Sequence, residues 1–306
     1  MPNTMTTNSL DRRFRYDTSS HWYKGNTHLH TTCSDGGLTY SQVNALYASA
    51  GFDFLFATDH WITSDVAQLS PGDSPLWLDG IELDGRDETG ALYHVACLGK
   101  VTGITREMGF PAALRAAADQ GSLTILAHPQ WTGNSFDDAL RWPFDGVEVY
   151  NHVCRWLNGK GEAAAYWNAM LNRRPGTLAL AVDDAHLQPE HPGWNGGWIV
   201  VNAAARAPEQ IIDALRRGNF YASCGTQLHA IRFDGAHVEV ETSAVQFIRL
   251  VGPAYRGQRI GSFDGQRLVA ARFELPADWD YAYLEIEDEQ GRRAWTNTLV
   301  VEDDPS

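Results

Sequence analysis

The segment NTHLHTTCSDGG, residues 26–37, places two histidines on alternate positions and a carboxylate shortly after them. Alternate residues of a β-strand point to the same side. His28 and His30 are therefore predicted to project together from the end of a strand, with Asp35 on the loop that follows. Imidazole and carboxylate groups together are typical metal ligands. An ordinary edge strand with two polar residues would give the same pattern, so the metal-site interpretation requires further ligands elsewhere in the chain.

Such side chains recur in most of the other predicted strands between residues 25 and 225. FLFATDH ends in Asp59 and His60, and TILAHP ends in His128. The carboxyl ends of parallel strands meet on one face of a sheet or barrel, where active sites lie. Each of these residues alone has a structural explanation, such as a helix cap or a solvated loop, but their recurrence does not. The remaining members of the set are Glu82, His94, Asp183, Asp184 and His186.

The predicted set combines imidazole nitrogens with carboxylate oxygens and contains no cysteine. This mixture suits Zn²⁺, Mn²⁺ or Fe²⁺. There are more ligands than one tetrahedral ion needs, so two or three divalent metal ions are predicted, with Glu82 as a candidate bridging ligand. Such a centre lowers the pKa of bound water to near 7 and neutralises the oxygens of the group under attack. Hydrolysis is the predicted chemistry.

The composition of this 306-residue chain limits which classes of partner are expected. Its formal net charge of −14 and its lack of a Lys/Arg run disfavour extended nucleic acid, so a small-molecule substrate is expected. Four cysteines without framework spacing indicate a reducing compartment. The first 25 residues carry no apolar core of a signal peptide, and no run of about 18 apolar residues occurs. We therefore predict a cytoplasmic, soluble protein without membrane contact.

The pattern of elements changes near Gly225. Between residues 25 and 225, short apolar strands alternate with helical segments, which predicts a parallel sheet, closed or open. Residues 226–306 contain strands and turns only, which predicts a small β-sandwich. The predicted organisation is a flexible lead over 1–20, an α/β domain over 21–225 and a β domain over 226–306. The β domain is expected to cover the barrel, to mediate homo-oligomer formation or to bind a glycan.

The order of the motifs HLHTTCSDG, ATDH, GIELDG, HVACLG, LAHP and VDDAH resembles that of the polymerase-and-histidinol-phosphatase (PHP) family of metal-dependent hydrolases. The resemblance covers residues 22–225. It implies a distorted (β/α)7 barrel with a two- or three-metal centre at the carboxyl ends of the strands.

Carried over by position, the resemblance implies three ligand sets. They are His28, His30, Glu82 and Asp184 for one ion; Glu82, His94 and His128 for a second; and Asp35, His60 and His186 for a third. Asp59 is the implied catalytic residue, either orienting a ligand or accepting a proton. Asp183 departs from the small residue usual in the family. Glu148 and Asn151 match a stretch near the pocket without a defined role.

Most members of the family hydrolyse phosphate mono- or diesters, so this activity is the first expectation. Carboxyl ester or carbamate hydrolysis, as in a carbaryl hydrolase-like branch, is the alternative. A non-catalytic metal-binding scaffold is a third. A phosphate site calls for a cation beside the metals, and Arg155 is the first candidate, followed by Lys160, Arg86 and Arg106. Tryptophans near the motifs favour an aromatic pocket instead. The predicted substrate-binding residues are Arg155, Trp61, Trp131 and Asn151.

Overall fold

The computed structural model describes residues 12–69 and 75–302, so part of the predicted lead over residues 1–20 lies outside the described residues. The first elements are β1 (Arg12–Phe14), β2 (His21–Asn26), α1 (Tyr40–Ser49), β3 (Phe54–Ala57), α2 (Val66–Leu69), β4 (Leu76–Arg86), β5 (Leu92–Leu98), α3 (Phe110–Asp119), β6 (Leu123–Leu126), α4 (Pro129–Thr132), α5 (Phe136–Arg141), β7 (Gly146–Asn151), α6 (His152–Asn158), α7 (Ala164–Leu171), β8 (Leu178–Val182), β9 (Trp198–Ala203), α8 (Pro208–Arg217) and β10 (Phe220–Ser223).

The chain then continues without a helix among the described residues. Its strands are β11 (Leu228–Phe233), β12 (His237–Val245), β13 (Phe247–Val251), β14 (Gly257–Gly261), β15 (Leu268–Glu274), β16 (Tyr283–Glu287), β17 (Arg293–Thr296) and β18 (Val300–Glu302). The all-β character expected after residue 225 is therefore present. The helical segments expected before residue 225 are also present, and they include α1, α3, α7 and α8.

A curved thirteen-stranded sheet dominates the fold, in the order β14-β13-β16-β17-β10-β9-β2-β3-β4-β5-β6-β7-β8. The pairs β2–β3, β3–β4, β6–β7 and β7–β8 are parallel. The last strand, β8, comes back against β9 and β10, which curves the α/β part of the sheet around on itself. The fold is thus mixed α/β, with a large central sheet and few helices.

The sheet is not parallel throughout, because β5 pairs antiparallel with both β4 and β6, and β9 pairs antiparallel with β2. Only residues 87–91 join β4 to β5, whereas a parallel crossover needs a dozen or more. Asp87 closes this turn by accepting hydrogen bonds from the backbone N–H groups of Thr89 and Ala91. A uniform strand–helix repeat was therefore the wrong expectation for this part of the sheet.

The C-terminal strands extend the same sheet and also build a second layer. β17 pairs with β10, which continues the hydrogen-bonded sheet into β16, β13 and β14. The separate sheet β11-β12-β15 packs on this extension through an apolar cluster that includes Val240, Phe273, Ile248 and Leu284. The arrangement is sandwich-like, and its inner sheet is shared with the α/β region. The domain boundary near residue 225 stays a prediction.

The segment after β2 shows how the core positions polar side chains. Leu29 is fully buried in a cluster with Val43, Tyr47 and Leu55, and it forms a β-bridge to Ala185. Because neighbouring residues of an extended segment point to opposite sides, the burial of Leu29 directs His28 and His30 away from this cluster. None of the helices in the described ranges is long and apolar enough to cross a membrane.

Replacing Leu29 by Ala is expected to lower the free energy of unfolding by about 2–5 kcal/mol, because it removes packing from a fully buried position. Urea unfolding followed by tryptophan fluorescence measures the change. Leu29→Met, which preserves most of the volume, is the control and should cost less than about 1.5 kcal/mol. Equal stability of the Ala variant and the wild type would contradict the anchoring role of Leu29.

Candidate metal centre

The structure brings all nine predicted metal ligands into one cluster. They come from the ends or the middle of six strands of the curved sheet, β2 to β6 and β8, as well as from the loop after His30. The ligands are His28, His30, Asp35, His60, Glu82, His94, His128, Asp184 and His186. Within this set, at least four groups of three or four residues each offer ligand atoms within 4.8 Å of one another. Residues far apart in the sequence therefore meet as the motifs predicted.

Glu82 lies at the centre of the cluster. It is fully buried in the middle of β4. Its Oε2 lies 3.1 Å from His28 Nε2 and 3.2 Å from His30 Nε2. The same oxygen is 3.3 Å from His60 Nε2, while Oε1 is 2.9 Å from His94 Nδ1. His128 Nε2 lies 3.6 Å from Oε1, so one carboxylate faces five imidazoles, as expected of the candidate bridging ligand.

Asp184 faces Glu82 across the cluster. Its Oδ1 lies 3.1 Å from His30 Nε2 and 3.3 Å from His28 Nε2, and its Oδ2 is 3.7 Å from His128 Nε2. Both Asp184 and His128 have positive φ, +54° and +29°. Such conformations cost free energy in residues other than glycine and concentrate at functional sites. The strained backbone at these two positions aims the side chains into the cluster.

Asp35 marks the open side of the cluster and is half exposed. Its Oδ2 lies 3.3 Å from His186 Nε2 and 3.9 Å from His60 Nε2. Its Oδ1 lies 3.6 Å from His30 Nδ1. Asp35, His60 and His186 are the third ligand set that the resemblance implied, and His30 lies in the same group.

The buried nitrogen and oxygen atoms of the cluster are better suited to binding divalent metal ions than to forming hydrogen bonds with one another. Glu82 Oε2, His30 Nδ1 and His128 Nδ1 are buried without a hydrogen bond, although Glu82 Oε2 is within 3.3 Å of three ring nitrogens. His28 Nε2 and His30 Nε2 are 3.2 Å apart, so two nitrogen lone pairs converge on one point unless one nitrogen carries a proton. Unsatisfied buried donors and acceptors are rare in native proteins. A divalent cation between Glu82 Oε2 and the Nε2 atoms that face it would satisfy these atoms together.

The electrostatics of the cluster require positive charge. Burial alone lowers the pKa of His30, but hydrogen bonds and charge from Asp184 and Glu82 outweigh burial and raise it to about 9. The pKa of His28 is also raised well above its usual value, since Asp184, Glu82 and Glu148 outweigh burial. Burial favours the neutral form of Glu82, yet the surrounding imidazoles hold its pKa well below the usual range. Without a metal, the histidines take up protons to balance the buried carboxylates.

Glu148 and Asn151 support the ligands from behind. Glu148 Oε1 lies 2.6 Å from His28 Nδ1, and its Oε2 accepts hydrogen bonds from the His128 backbone N–H and from Asn151 Nδ2, each at 2.9 Å. Asn151 Nδ2 also donates to Asp184 Oδ2 at 3.2 Å. A carboxylate on the far nitrogen of a ligating histidine fixes its tautomer and orientation. Asn151 is fully buried, so it orients these carboxylates, in contrast to the substrate contact predicted for it.

Two other aspartates of the predicted set face away from the ligands. Asp59 is buried and accepts hydrogen bonds from the Thr31 N–H and from the hydroxyls of Thr31, Ser34 and Tyr40. This geometry favours the orienting alternative for Asp59, because its oxygens hold the loop that carries Asp35. Asp183 accepts hydrogen bonds from Tyr47 and from the backbone of residues 195–197. The extra carboxylate therefore does not compete with Asp184 for the cluster.

Asp84 belongs to the site and was missed from the sequence. Its Oδ1 lies 3.1 Å from His60 Nδ1 and accepts a hydrogen bond from Trp61 Nε1 at 2.8 Å. Arg106 donates to both oxygens at 3.3 Å and lies over the Trp61 ring. Asp84 is two residues after Glu82 on β4, so alternation along the strand was the available signal. Trp61 donates to Asp84 beside His60, and the substrate contact predicted for Trp61 stays a prediction.

A cavity of about 260 Å³ opens onto the ligands. One wall is apolar and is formed by Trp131, Val153, Cys154 and Leu157. Trp131, for which substrate contact was predicted, belongs to this wall, and its ring centroid lies 5.2 Å from that of His128. Within residues 12–69 and 75–302, no lysine or arginine lines this cavity. Arg155 lies outside it, on the other side of α6, and does not have the position beside the metals expected from the sequence.

Comparison with known proteins adds one similarity of fold. No protein-family model matches the sequence, and no curated protein sequence matches it. A two-domain protein from Bacteroides vulgatus, containing a predicted PHP-like metal-dependent phosphoesterase, has a solved structure similar to this one, with a TM-score of 0.52. The similarity covers 92% of this chain and 96% of that chain at 16% sequence identity. The chain therefore shares the fold of that protein, in agreement with the resemblance seen in the motifs at the level of fold.

The raised histidine pKa values predict how the metal-free protein responds to pH. A group with a folded-state pKa above its unfolded value stabilises the protein below the unfolded pKa, and this stability is lost as pH rises through the folded pKa. For His30 this range runs from 6.5 to about 9. Thermal unfolding of chelator-treated protein should therefore show falling stability from pH 6.5 to 9. Added Zn²⁺ or Mn²⁺ should restore it at the upper end, and a pH-independent metal-free protein would contradict the charge balance described above.

Replacing Asp84 by Asn is expected to weaken metal binding about 10–100-fold, because the charge that orients His60 is lost while the shape is kept. Competition of the purified variant with a chromophoric chelator for Zn²⁺ measures the affinity. Asp119→Asn, at an exposed aspartate on α3, is the matched control and should leave the affinity unchanged. An Asp84 variant with wild-type affinity would remove Asp84 from the site.

Proposed function

We propose that this protein is a metal-dependent phosphoesterase that hydrolyses a small phosphate mono- or diester. The observation that carries the proposal is the convergence of six imidazoles on two buried carboxylates, Glu82 and Asp184, with the half-exposed Asp35 at the open side. The fold supports it, because the similar Bacteroides protein contains a predicted phosphoesterase of this kind.

The chemistry follows from the donor set. Two or three divalent ions held there would supply an activated water near neutral pH and neutralise negative charge on the substrate oxygens. Glu82 is proposed as the bridging ligand between the sets that contain His28 and His94. Glu148 and Asp84 hold the rings of His28 and His60 in their ligating orientations.

The cavity selects what reaches the ligands. Its volume of about 260 Å³ admits a small ester and no extended polymer. Trp131 and Leu157 form an apolar surface on which the leaving group can pack while water is excluded from that side. Asp35 and His186 lie at the open side, where the substrate would enter.

One observation favours a second candidate, the hydrolysis of an uncharged carboxyl ester or carbamate. Phosphate sites usually add a guanidinium or ammonium group to the metals. Among the described residues, the metal cavity has no such group and one wall is apolar. A phosphate substrate matches the ligand set if the metals alone neutralise its charge. An uncharged aryl ester needs no such neutralisation and suits the apolar wall.

The two candidates predict different activities of the metal-loaded protein. Turnover of p-nitrophenyl phosphate or bis-p-nitrophenyl phosphate, without turnover of 1-naphthyl acetate or 1-naphthyl methylcarbamate, would support the phosphoesterase. The reverse pattern would overturn it in favour of the second candidate. Metal-loaded protein without activity on any of the four esters would contradict both.

Glu82→Gln tests the site itself. Loss of the bridging charge is expected to lower bound metal and to reduce hydrolysis more than about 100-fold, since the ligand set is broken at its centre. Metal content by mass spectrometry and the rate on the best of the four esters measure the two effects. Glu209→Gln on the exposed surface of α8 is the control. Full metal content and full activity in the Glu82 variant would contradict the ligand assignment.

A further inference from the structure

A second cavity lies next to the metal cavity, and α6 separates them. Val153, Cys154 and Leu157 of this helix line the metal cavity. His152, Arg155 and Trp156 line the other side. The second cavity has an outer part of about 690 Å³ and an inner part of about 330 Å³, which share His152 and Arg155. Because the inner part is also lined by the turn between β16 and β17, we refer to the two parts together as the junction cavity.

Positive charge is concentrated in the junction cavity, although the protein has a net charge of −14. Three arginines line its inner part: Arg155, Arg292 and Arg293. Arg292 is paired with Asp288 at 2.7 Å, and Arg293 is paired with Glu162. No carboxylate of the described residues lies within 4.0 Å of the Arg155 guanidinium. The Arg155 side chain contacts the Tyr150 hydroxyl, and because the residue is exposed and its guanidinium has five N–H donors, further donors remain available to a ligand.

His152 adds a second donor that the surrounding backbone fixes in place. The Tyr150 hydroxyl lies 3.1 Å from His152 Nδ1. When that hydroxyl donates to Nδ1, the ring proton of a neutral His152 is on Nε2. The ring lies flat on the chain at Gly196, where a Cβ atom would come within 2.1 Å of Nδ1. Only glycine at that position allows the ring to pack there, so the orientation of His152 is built into the loop.

The outer part of the junction cavity is aromatic. Trp156 is 60% exposed, which is unusual for an indole, and it follows Arg155 directly in the sequence. Trp194 lines the same part and packs at its other edge against Tyr47, with ring centroids 5.4 Å apart. An exposed indole and a partly buried one beside a charged donor suit a planar ligand with an anionic substituent.

We propose that the junction cavity binds a small aromatic molecule that carries a carboxylate or phosphate. Arg155 and His152 hold the anionic group, and Trp156 and Trp194 contact the ring. This site is independent of the proposed hydrolysis, because it needs neither the metals nor their ligands. His191 lines the metal cavity and the next residue, Pro192, lines the junction cavity. Because the two cavities adjoin at these residues, two sources would supply such a ligand. One is the non-reacting end of the substrate, and the other is a separate effector.

Isothermal titration calorimetry of chelator-treated protein with 1-naphthoate tests the site directly. We expect saturable binding of 1-naphthoate, and at least about 10-fold weaker binding of the neutral 1-naphthalenemethanol, because a hydrogen bond to a charged partner is lost. Arg155→Gln and Trp156→Ala should each weaken 1-naphthoate about 10-fold. Absence of binding at millimolar 1-naphthoate, or equal affinity of both probes, would overturn the proposal.

Two controls locate the binding. Arg173→Gln removes another exposed arginine and should leave the affinity unchanged. His94→Ala alters the metal cavity alone and should also leave it unchanged. Binding that His94→Ala abolishes and Arg155→Gln spares would place the ligand in the metal cavity and overturn the proposal. Circular dichroism of each variant confirms that it is folded, as expected for the exposed positions 155 and 156.

One further measurement separates the two sources of the ligand. If the metal-loaded protein hydrolyses bis-p-nitrophenyl phosphate or 1-naphthyl acetate, competitive inhibition by 1-naphthoate that Arg155→Gln relieves assigns the site to the non-reacting end of the substrate. A change in kcat at unchanged KM assigns it to an effector. If none of the esters is hydrolysed, the proposed function fails while the calorimetry still decides whether the junction cavity binds its ligand.

Discussion

Burial of negative charge is the constraint on which this structure depends. Glu82, Glu148 and Asp184 are almost fully buried within a few ångströms of one another's histidine partners. Isolated buried carboxylates are too costly to remain ionised, so the cluster exists only with compensating positive charge. Protons on the imidazoles can supply it, and so can divalent ions, but a protonated nitrogen cannot bind metal. Metal binding and protonation therefore compete for the same nitrogens.

The sheet holds this charge in place by simple rules of strand geometry. In the β4–β5 hairpin, Asp84 is directly opposite His94 and Glu82 is opposite Ala96. One hairpin thus contributes the candidate bridging carboxylate Glu82, the candidate ligand His94, and Asp84, which lies beside His60. On the other side, buried Leu29 directs His28 and His30, and the strained backbone at Asp184 completes the arrangement. Ligands on strands are held more rigidly than ligands on loops, which a multinuclear centre requires.

The helix α6 has residues of the metal cavity on one side and residues of the junction cavity on the other, although these residues are adjacent in the sequence. Its Val153, Cys154 and Leu157 give the metal cavity an apolar wall, whereas its Arg155 lies in the junction cavity. The candidate metal ligands and the Arg155 guanidinium are therefore on opposite sides of one short helix. Catalysis and recognition of a remote anionic group would then be properties of separate surfaces, each of which can change without disturbing the other.

The sequence alone determined the ligand types, their strands and the kind of fold, because alternation within a strand and motif order are local properties. The tertiary structure decided what depends on neighbours. The short turn after Arg86 makes β5 antiparallel, which periodicity does not reveal. Asp59 and Asn151 are buried behind the ligands, and Trp61 packs on Asp84. A residue's type states what chemistry it can do, but only packing determines whether its side chain meets the ligands, the solvent or the protein interior.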